Sequence, residues 1–192
     1  VIVGGDPLKR GVVSTCSYEA RKFGVRSAMP MVRAVALCPH AIFLPGRMHR
    51  YAEKSREVME TFDSYSPSVQ QMSIDEAFID MTGTTGLFGP APESARKLKE
   101  NVRARTGLTV SVGVASNRYI AKIASGLSKP DGLVIVPAGE EAAFMSRLAL
   151  KDVWGIGEKT RARLVDAGLS TVASVLECSE ALLQGILGPG GG

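Results

Sequence analysis

The chain contains 192 residues, of which 45% are hydrophobic and 22% charged, and it carries a formal net charge of +4. This length and apolar content allow one large domain, or a medium domain with a smaller one. Charges interrupt the apolar runs well before the roughly 18 residues that a membrane-spanning helix needs, and no basic, apolar leader opens the sequence. We therefore predict a cytoplasmic protein without a membrane partner.

The positions of the cysteines and of the charged residues indicate the compartment and the kind of ligand. Cys16, Cys38 and Cys178 lie far apart and include no Cys-x-x-Cys pair, which fits a reduced cytosol and argues against a zinc site. Residues 1–50 contain 8 basic and 2 acidic side chains, whereas residues 51–100 contain 5 and 9. A basic segment followed by an acidic one indicates a surface for a polyanion beside a site for cations, although ordinary solvated charge gives the same pattern.

Apolar periodicity and chain breakers predict the elements of the first third. They are a strand that reaches a turn at residues 1–5, two helical pieces within residues 17–37 broken at Gly24 and Pro30, a strand at 41–44 and a helix at 49–65. The opening strand has no polar lead-in, so we expect the chain to start inside a domain.

The remainder alternates strands with helices and then becomes helical. We predict strands at 69–74, 77–81, 109–115 and 133–136, and helices at 92–106 and 117–127, with Ser116 capping the second helix. This order predicts an α+β fold whose sheet is covered by helices on one face. After Pro137 the pattern indicates short helices joined by glycine-containing turns, and residues 188–192 are too rich in glycine for regular structure.

The most informative residues are two adjacent carboxylates, Asp75 and Glu76, between two apolar strand segments. Like charges at this spacing repel unless a cation neutralises them. Oxygen ligands without histidine favour Mg²⁺, with Mn²⁺ as the alternative, and two such ions about 4 Å apart serve phosphoryl transfer. A solvated hairpin turn is the simpler explanation for an isolated Asp-Glu pair.

The flanking residues favour the metal site. Residues 72–78, Met-Ser-Ile-Asp-Glu-Ala-Phe, resemble the catalytic acidic motif of Y-family lesion-bypass DNA polymerases of the bacterial polymerase IV type. The resemblance implies that Asp75 binds two metal ions and that Glu76 binds the ion that activates the primer 3′-hydroxyl. Asp80 is interpreted as structural.

Two further segments resemble parts of the same family that bind the incoming triphosphate. Residues 15–25, Thr-Cys-Ser-Tyr-Glu-Ala-Arg-Lys-Phe-Gly-Val, resemble its fingers segment, which assigns triphosphate contacts to Tyr18 and Arg21 and a weaker one to Thr15. Three apart on a helix, Tyr18 and Arg21 would share one face. Ser116-Asn117-Arg118 and the turn at residues 128–132 also match, and the resemblance gives Lys129 a triphosphate contact.

Residues 152–160, Asp-Val-Trp-Gly-Ile-Gly-Glu-Lys-Thr, resemble a helix-hairpin-helix motif. Backbone N–H groups at the start of its second helix would favour a DNA phosphate, and nearby basic side chains would add charge without reading bases. The residues assigned to the DNA backbone are Gly155, Ile156, Gly157, Lys159 and Arg161, with Arg163 nearby. A tight turn that packs only protein is the alternative.

Together these segments imply three domains: fingers at residues 1–47, part of the palm at 48–136, and part of the thumb at 137–192. The fold implied is a palm-like sheet, a small fingers subdomain and an all-α helix-hairpin-helix thumb. The function implied is template-directed addition of deoxynucleotides to a primer 3′ end. The partners implied are primer-template DNA, a deoxynucleoside triphosphate and, through a further C-terminal region, a sliding clamp; the polymerase would be a monomer.

Family members also carry a metal-binding Asp on an earlier strand, a bulky residue that excludes ribonucleotides, and a little-finger domain. None of these is present in the 192 residues. We therefore expect the chain to be a fragment that polymerises barely or not at all alone. Two alternatives stay open: a catalytically dead polymerase-like accessory protein that binds DNA, and a palm-fold nucleotide cyclase.

Overall fold

The computed structural model describes residues 1–188, so residues 189–192 of the predicted irregular tail lie outside the described part. The chain divides into two compact units, Val1–Lys54 and a second that begins at Ser55. The predicted fingers fall within the first unit, and the predicted thumb and most of the predicted palm fall within the second. The naming of these parts as fingers, palm and thumb stays a prediction.

The first unit is a three-stranded sheet with helices. Its elements are β1 (Ile2–Gly4), β2 (Val13–Cys16), α1 (Tyr18–Lys22), α2 (Met31–Leu37), β3 (Phe43–Pro45) and the start of α3 (Met48–Asp63). The sheet order is β2-β1-β3, with β1 antiparallel to β2 and parallel to β3. Ile2, Val25 and Ala34, all fully buried, lie in its core. The two predicted helices and the breaks at Gly24 and Pro30 are confirmed.

Strand β2 is not predicted by the sequence. Its pairing with β1 shifts by one residue between Val3 and Gly4, so Val13 and Cys16 are both buried although they are three residues apart. This bulge breaks the two-residue alternation on which strand prediction depends.

The second unit begins with alternating strands and helices. Its elements are β4 (Val69–Gln71), β5 (Ala77–Ile79), α4 (Thr85–Phe88), α5 (Ala91–Thr106), β6 (Val112–Val114), α6 (Arg118–Leu127) and β7 (Leu133–Ile135). β4 and β5 form an antiparallel hairpin, whereas β6 and β7 are parallel. Parallel neighbours need a crossover connection, and α6 supplies it.

The predicted α+β class is confirmed, with small sheets and helices. Within residues 1–188 the strands pair in three separate hydrogen-bonded sheets, so β4–β5 and β6–β7 do not share a continuous ladder. Phe62 on α3 and Leu98 and Val102 on α5 pack with Val69 and Ile79 of the hairpin, which gives the hairpin its own core.

The cap of α6 differs from the prediction. Helix α6 begins at Arg118, and the Asn117 side chain accepts a hydrogen bond from the Ile120 N–H at 2.9 Å. The predicted cap, Ser116, is one residue too early to reach that N–H group, and its hydroxyl instead contacts Glu141.

The rest of the second unit is helical, as predicted. It contains α7 (Glu141–Ser146), a 3₁₀ turn (Leu150–Asp152), α8 (Glu158–Asp166), α9 (Val172–Leu176) and α10 (Glu180–Leu187). Leu150, Leu164 and Val172 form its core with Ile123 of α6, so α6 packs on both parts of the unit. None of the helices in the described part of the chain has the length and hydropathy needed to span a bilayer.

Candidate functional site

The acidic pair lies in the turn that joins β4 to β5. The turn is closed by the N–H of Met72, which donates to the Glu76 carbonyl at 2.8 Å. The Ser73 hydroxyl donates to Asp75 Oδ1 at 2.8 Å and accepts from the Asp75 N–H at 3.4 Å. Asp75 is exposed and Glu76 half-buried. The turn therefore presents two neighbouring carboxylates that solvent and ligands can reach.

Helix α6 supplies positive charge to this hairpin. The Lys122 ammonium forms an ion pair with Glu76 Oε1, and its side chain is 24% exposed. One turn earlier, the Arg118 guanidinium donates to the Gln70 side chain on β4 and lies 6.0 Å from the centre of the Phe78 ring on β5. Residues four apart on a helix share a face, so Arg118 and Lys122 meet the hairpin together.

The sequence does not single out Lys122 as a site residue, although its i, i+4 spacing from Arg118 was a usable signal. Its position changes the electrostatic argument for a metal. Because the ammonium already neutralises Glu76, repulsion between adjacent carboxylates does not by itself require a bound cation.

The donor chemistry nevertheless fits a hard divalent cation. Asp75 and Glu76 offer carboxylate oxygens, which Mg²⁺ prefers, and Mg²⁺ commonly binds through one or two protein carboxylates with water and phosphate oxygens completing its shell. Within residues 1–188 no group of three or more His, Cys, Asp or Glu side chains is arranged to hold a metal. Asp75 and Glu76 could therefore supply two carboxylate ligands to such an ion, and the magnesium site itself stays a prediction.

The predicted triphosphate residues of the first unit lie close together. Tyr18 and Arg21 are on α1, with the Arg21 Cζ atom 5.9 Å from the centre of the Tyr18 ring. Ser17 caps this helix by accepting from the Ala20 N–H at 3.5 Å. Thr15 is exposed on β2, two residues before the cap. The phenol of Tyr18, which is 49% exposed, and the guanidinium can therefore approach one ligand together.

Lys129, in the second unit, is exposed in the turn between α6 and β7. In the described part of the chain no hydrogen bond or ion pair joins it to Asp75 or Glu76. The turn itself is held from outside by Lys99, which donates to Asp131 Oδ1 at 2.6 Å. This hydrogen bond lowers the pKa of the Asp131 carboxyl below its usual value.

The hairpin at residues 155–157 leads into α8. The Ile156 N–H donates to the Val153 carbonyl at 3.1 Å, and the Ile156 side chain packs into the helical core. Gly157 is the N-cap of α8 and has no side chain, so no side chain of the cap residue satisfies the first N–H groups of the helix. Lys159 is exposed, whereas Arg161 pairs with Glu158.

Helix α6 also contacts the start of the hairpin. The Tyr119 hydroxyl donates to the Trp154 carbonyl at 2.9 Å, and burial raises the pKa of this phenol. A surface depression beside the hairpin is lined by residues of α6, Lys122, Ile123 and Gly126, and by residues 151–157. One helix therefore borders both the acidic turn and the hairpin.

Comparison with known proteins agrees with these features. The impB/mucB/samB family model matches residues 1–126, and the IMS family HHH motif matches residues 138–169. Over 192 residues the chain is 62% identical to DNA polymerase IV of Treponema denticola. The alignment covers 100% of this chain and 48% of the relative.

Two solved structures are similar in fold. DinB from Sulfolobus solfataricus superposes with a TM-score of 0.89 at 32% identity, over 98% of this chain and 55% of that protein. A Y-family DNA polymerase chimera of Dbh and Dpo4 gives a TM-score of 0.86 at 32% identity, over 98% of this chain and 56% of the chimera.

The chain belongs to the impB/mucB/samB family. Its resemblance to Y-family DNA polymerases of the polymerase IV type is confirmed. The chain spans about half the length of the curated relatives that it matches.

Proposed function

We propose that this chain forms the catalytic part of a template-directed DNA polymerase of the low-fidelity, lesion-bypass class. The observation that carries the proposal is the pair Asp75 and Glu76 on the exposed turn of the β4–β5 hairpin, inside the segment that the family model matches. The helix-hairpin-helix segment favours DNA over the free nucleotide on which a cyclase acts.

Asp75 and Glu76 would hold Mg²⁺, which supplies charge stabilisation to the transferring phosphoryl group and lowers the pKa of an attacking hydroxyl. Ser73 fixes the Asp75 carboxylate through its hydroxyl, so this ligand is oriented before a metal binds. Tyr18, Arg21 and Lys129, with a weaker contact from Thr15, would bind the triphosphate. Arg21 supplies the bidentate donors that suit phosphate oxygens, and Lys129 supplies a point charge.

The partners proposed are primer-template DNA and a deoxynucleoside triphosphate. Gly155, Ile156, Gly157, Lys159 and Arg161 would hold the DNA backbone, because backbone N–H groups and cations at a helix N-terminus attract phosphate. A sliding clamp as a further partner, a monomeric state and a cytoplasmic location stay predictions.

Primer extension by the complete gene product that contains this chain tests the proposal. We expect Asp75→Asn to lower kcat by roughly a hundredfold or more, because the substitution removes a metal-binding charge, and Glu76→Gln to act in the same direction. Duplex DNA binding, measured by fluorescence anisotropy, should persist in both variants.

Asp80→Asn is the matched control. It removes the same charge five residues from Asp75. Among the described residues, the Asp80 carboxylate accepts one hydrogen bond, from the Thr82 N–H at 2.9 Å. Its kcat should stay within about threefold of the unsubstituted protein. Equal losses at Asp75 and Asp80, or normal extension by Asp75→Asn, would contradict the assignment.

A further inference from the structure

The exposed turn that carries Lys129 is anchored by several hydrogen bonds. It follows α6 and continues into β7, and the Gly132 carbonyl accepts from the Val112 N–H at 3.0 Å. The Gly132 N–H donates to the Ser111 hydroxyl at 3.2 Å. Between these anchors Asp131 adopts a left-handed backbone with φ of 53°, which Asp tolerates better than most side chains.

The strongest anchor comes from α5. The Lys99 ammonium donates to the Val110 carbonyl at 2.6 Å, to Asp131 Oδ1 at 2.6 Å and to the Gly132 carbonyl at 3.1 Å. A lysine has three N–H donors, so all of them are used. The Lys99 side chain is only 16% exposed, which limits competition from water.

These three contacts join residues that are far apart in sequence. Lys99 and Asp131 are separated by 32 positions, and Val110 precedes the strand that pairs with β7. Lys99 thereby holds the Asp131 side chain, two residues beyond Lys129, and the Gly132 carbonyl, three residues beyond it. Within residues 1–188 Lys129 itself forms no hydrogen bond or ion pair, so the location of its ammonium depends on the backbone of the turn.

We propose that Lys99 is a positioning residue for triphosphate binding, acting through the turn at residues 128–132 on Lys129. The inference rests on the proposed function, which gives Lys129 its contact with the triphosphate. A loosened turn would keep the positive charge of Lys129 but let its ammonium occupy a wider range of positions. Binding of the triphosphate would then have to order the turn, which costs free energy. The effect should therefore fall on substrate binding more than on the chemical step.

The test uses Lys99→Met in the complete gene product, since Met matches the aliphatic stem of lysine and lacks the ammonium. The KM for the deoxynucleoside triphosphate should rise by about tenfold while kcat changes by less than about threefold. Lys97→Met is the matched control, because Lys97 lies on the same helix but, within residues 1–188, donates only to the Phe88 carbonyl, at 3.3 Å. It should leave KM unchanged.

A double substitution separates positioning from general stabilisation. In a Lys129→Ala background, Lys99→Met should raise KM no further, because the group on which it acts is gone. An equal rise in both backgrounds would overturn the proposal. If Lys99→Met fails to fold, Asp131→Ala removes one of the three contacts of Lys99 instead. Asp131→Ala should raise KM when Lys129 is present and should not raise it further in Lys129→Ala. An unchanged KM in Asp131→Ala with Lys129 present would also overturn the proposal.

Amide hydrogen exchange gives a readout that does not depend on polymerase activity. Exchange at Val112 and Gly132 should accelerate in Lys99→Met but not in Lys97→Met, since the former releases the turn that both amides anchor. Unchanged exchange would refute the anchoring role even in an active enzyme. If the unsubstituted protein did not extend a primer, but exchange still accelerated in Lys99→Met, the proposed function would be refuted while the anchoring role of Lys99 would stand.

Discussion

Gly113 lies where strand β6 crosses the backbone of helix α6. A Cβ atom at this position would lie 2.1 Å from the Ala121 carbonyl oxygen and 2.5 Å from the Ser125 nitrogen, and both neighbours are backbone atoms that cannot rotate away. We expect Gly113→Ala to lower the free energy of unfolding by about 3 kcal/mol, because strand and helix must separate. Thermal melting followed by circular dichroism measures the loss.

Gly126 is the control for this prediction. It lies within α6, and a Cβ there would meet no atom within 4 Å. Gly126→Ala should raise stability by about 0.5–1 kcal/mol, since alanine favours helix more than glycine does. If Gly113→Ala were tolerated as well as Gly126→Ala, the close approach of β6 to α6 would be wrong.

At the scale of elements, α6 organises the second unit. Lys122 reaches the acidic turn, Ile123 enters the helical core, and Tyr119 holds the segment before the hairpin. Losing the Asn117 cap frees the Ile120 N–H at the start of this helix, and we expect Asn117→Ala to cost about 1 kcal/mol of stability. Urea denaturation reports the change.

Asn117→Asp keeps the acceptor oxygen and should restore most of that stability, whereas Ser116→Ala should cost less than Asn117→Ala because Ser116 does not cap the helix. A larger loss of stability in Ser116→Ala than in Asn117→Ala would mean that Ser116 is the N-cap, and would contradict the observed start of the helix.

Elements with local signals could be predicted from the sequence, and contacts between distant residues could not. Helices α3 and α5 carry apolar periodicity over 16 residues each, and both are found within a residue or two of their predicted bounds. Lys99 and Tyr119, by contrast, bond partners 32 and 35 positions away, and no local pattern encodes such a pairing. The acidic pair was recognisable because its motif is contiguous.

At the scale of the whole molecule, the net charge is small, but basic and acidic residues are unevenly distributed along the chain. The net charge is only +4, yet residues 1–50 hold 8 of the 23 basic side chains and only 2 of the 19 acidic ones. A modest total with local basic segments favours binding of a polyanion at defined places over general adhesion. The number of proposed contacts with DNA phosphates should therefore be measurable from the salt dependence of binding.

Lys159 gives the clearest test of that count, because it is exposed in the first turn of α8 beside the hairpin. We expect Lys159→Ala in the complete gene product to weaken duplex binding equally for any base sequence. The slope of log affinity against log salt concentration should fall in magnitude by about 0.9 for the lost phosphate contact.

Arg147→Ala removes the same charge from an exposed position after α7, outside the hairpin, and should leave the slope unchanged. Equal slopes for Lys159→Ala and the unsubstituted protein would mean that this hairpin does not hold the DNA backbone, since releasing fewer counterions is the direct consequence of losing a cation from the interface.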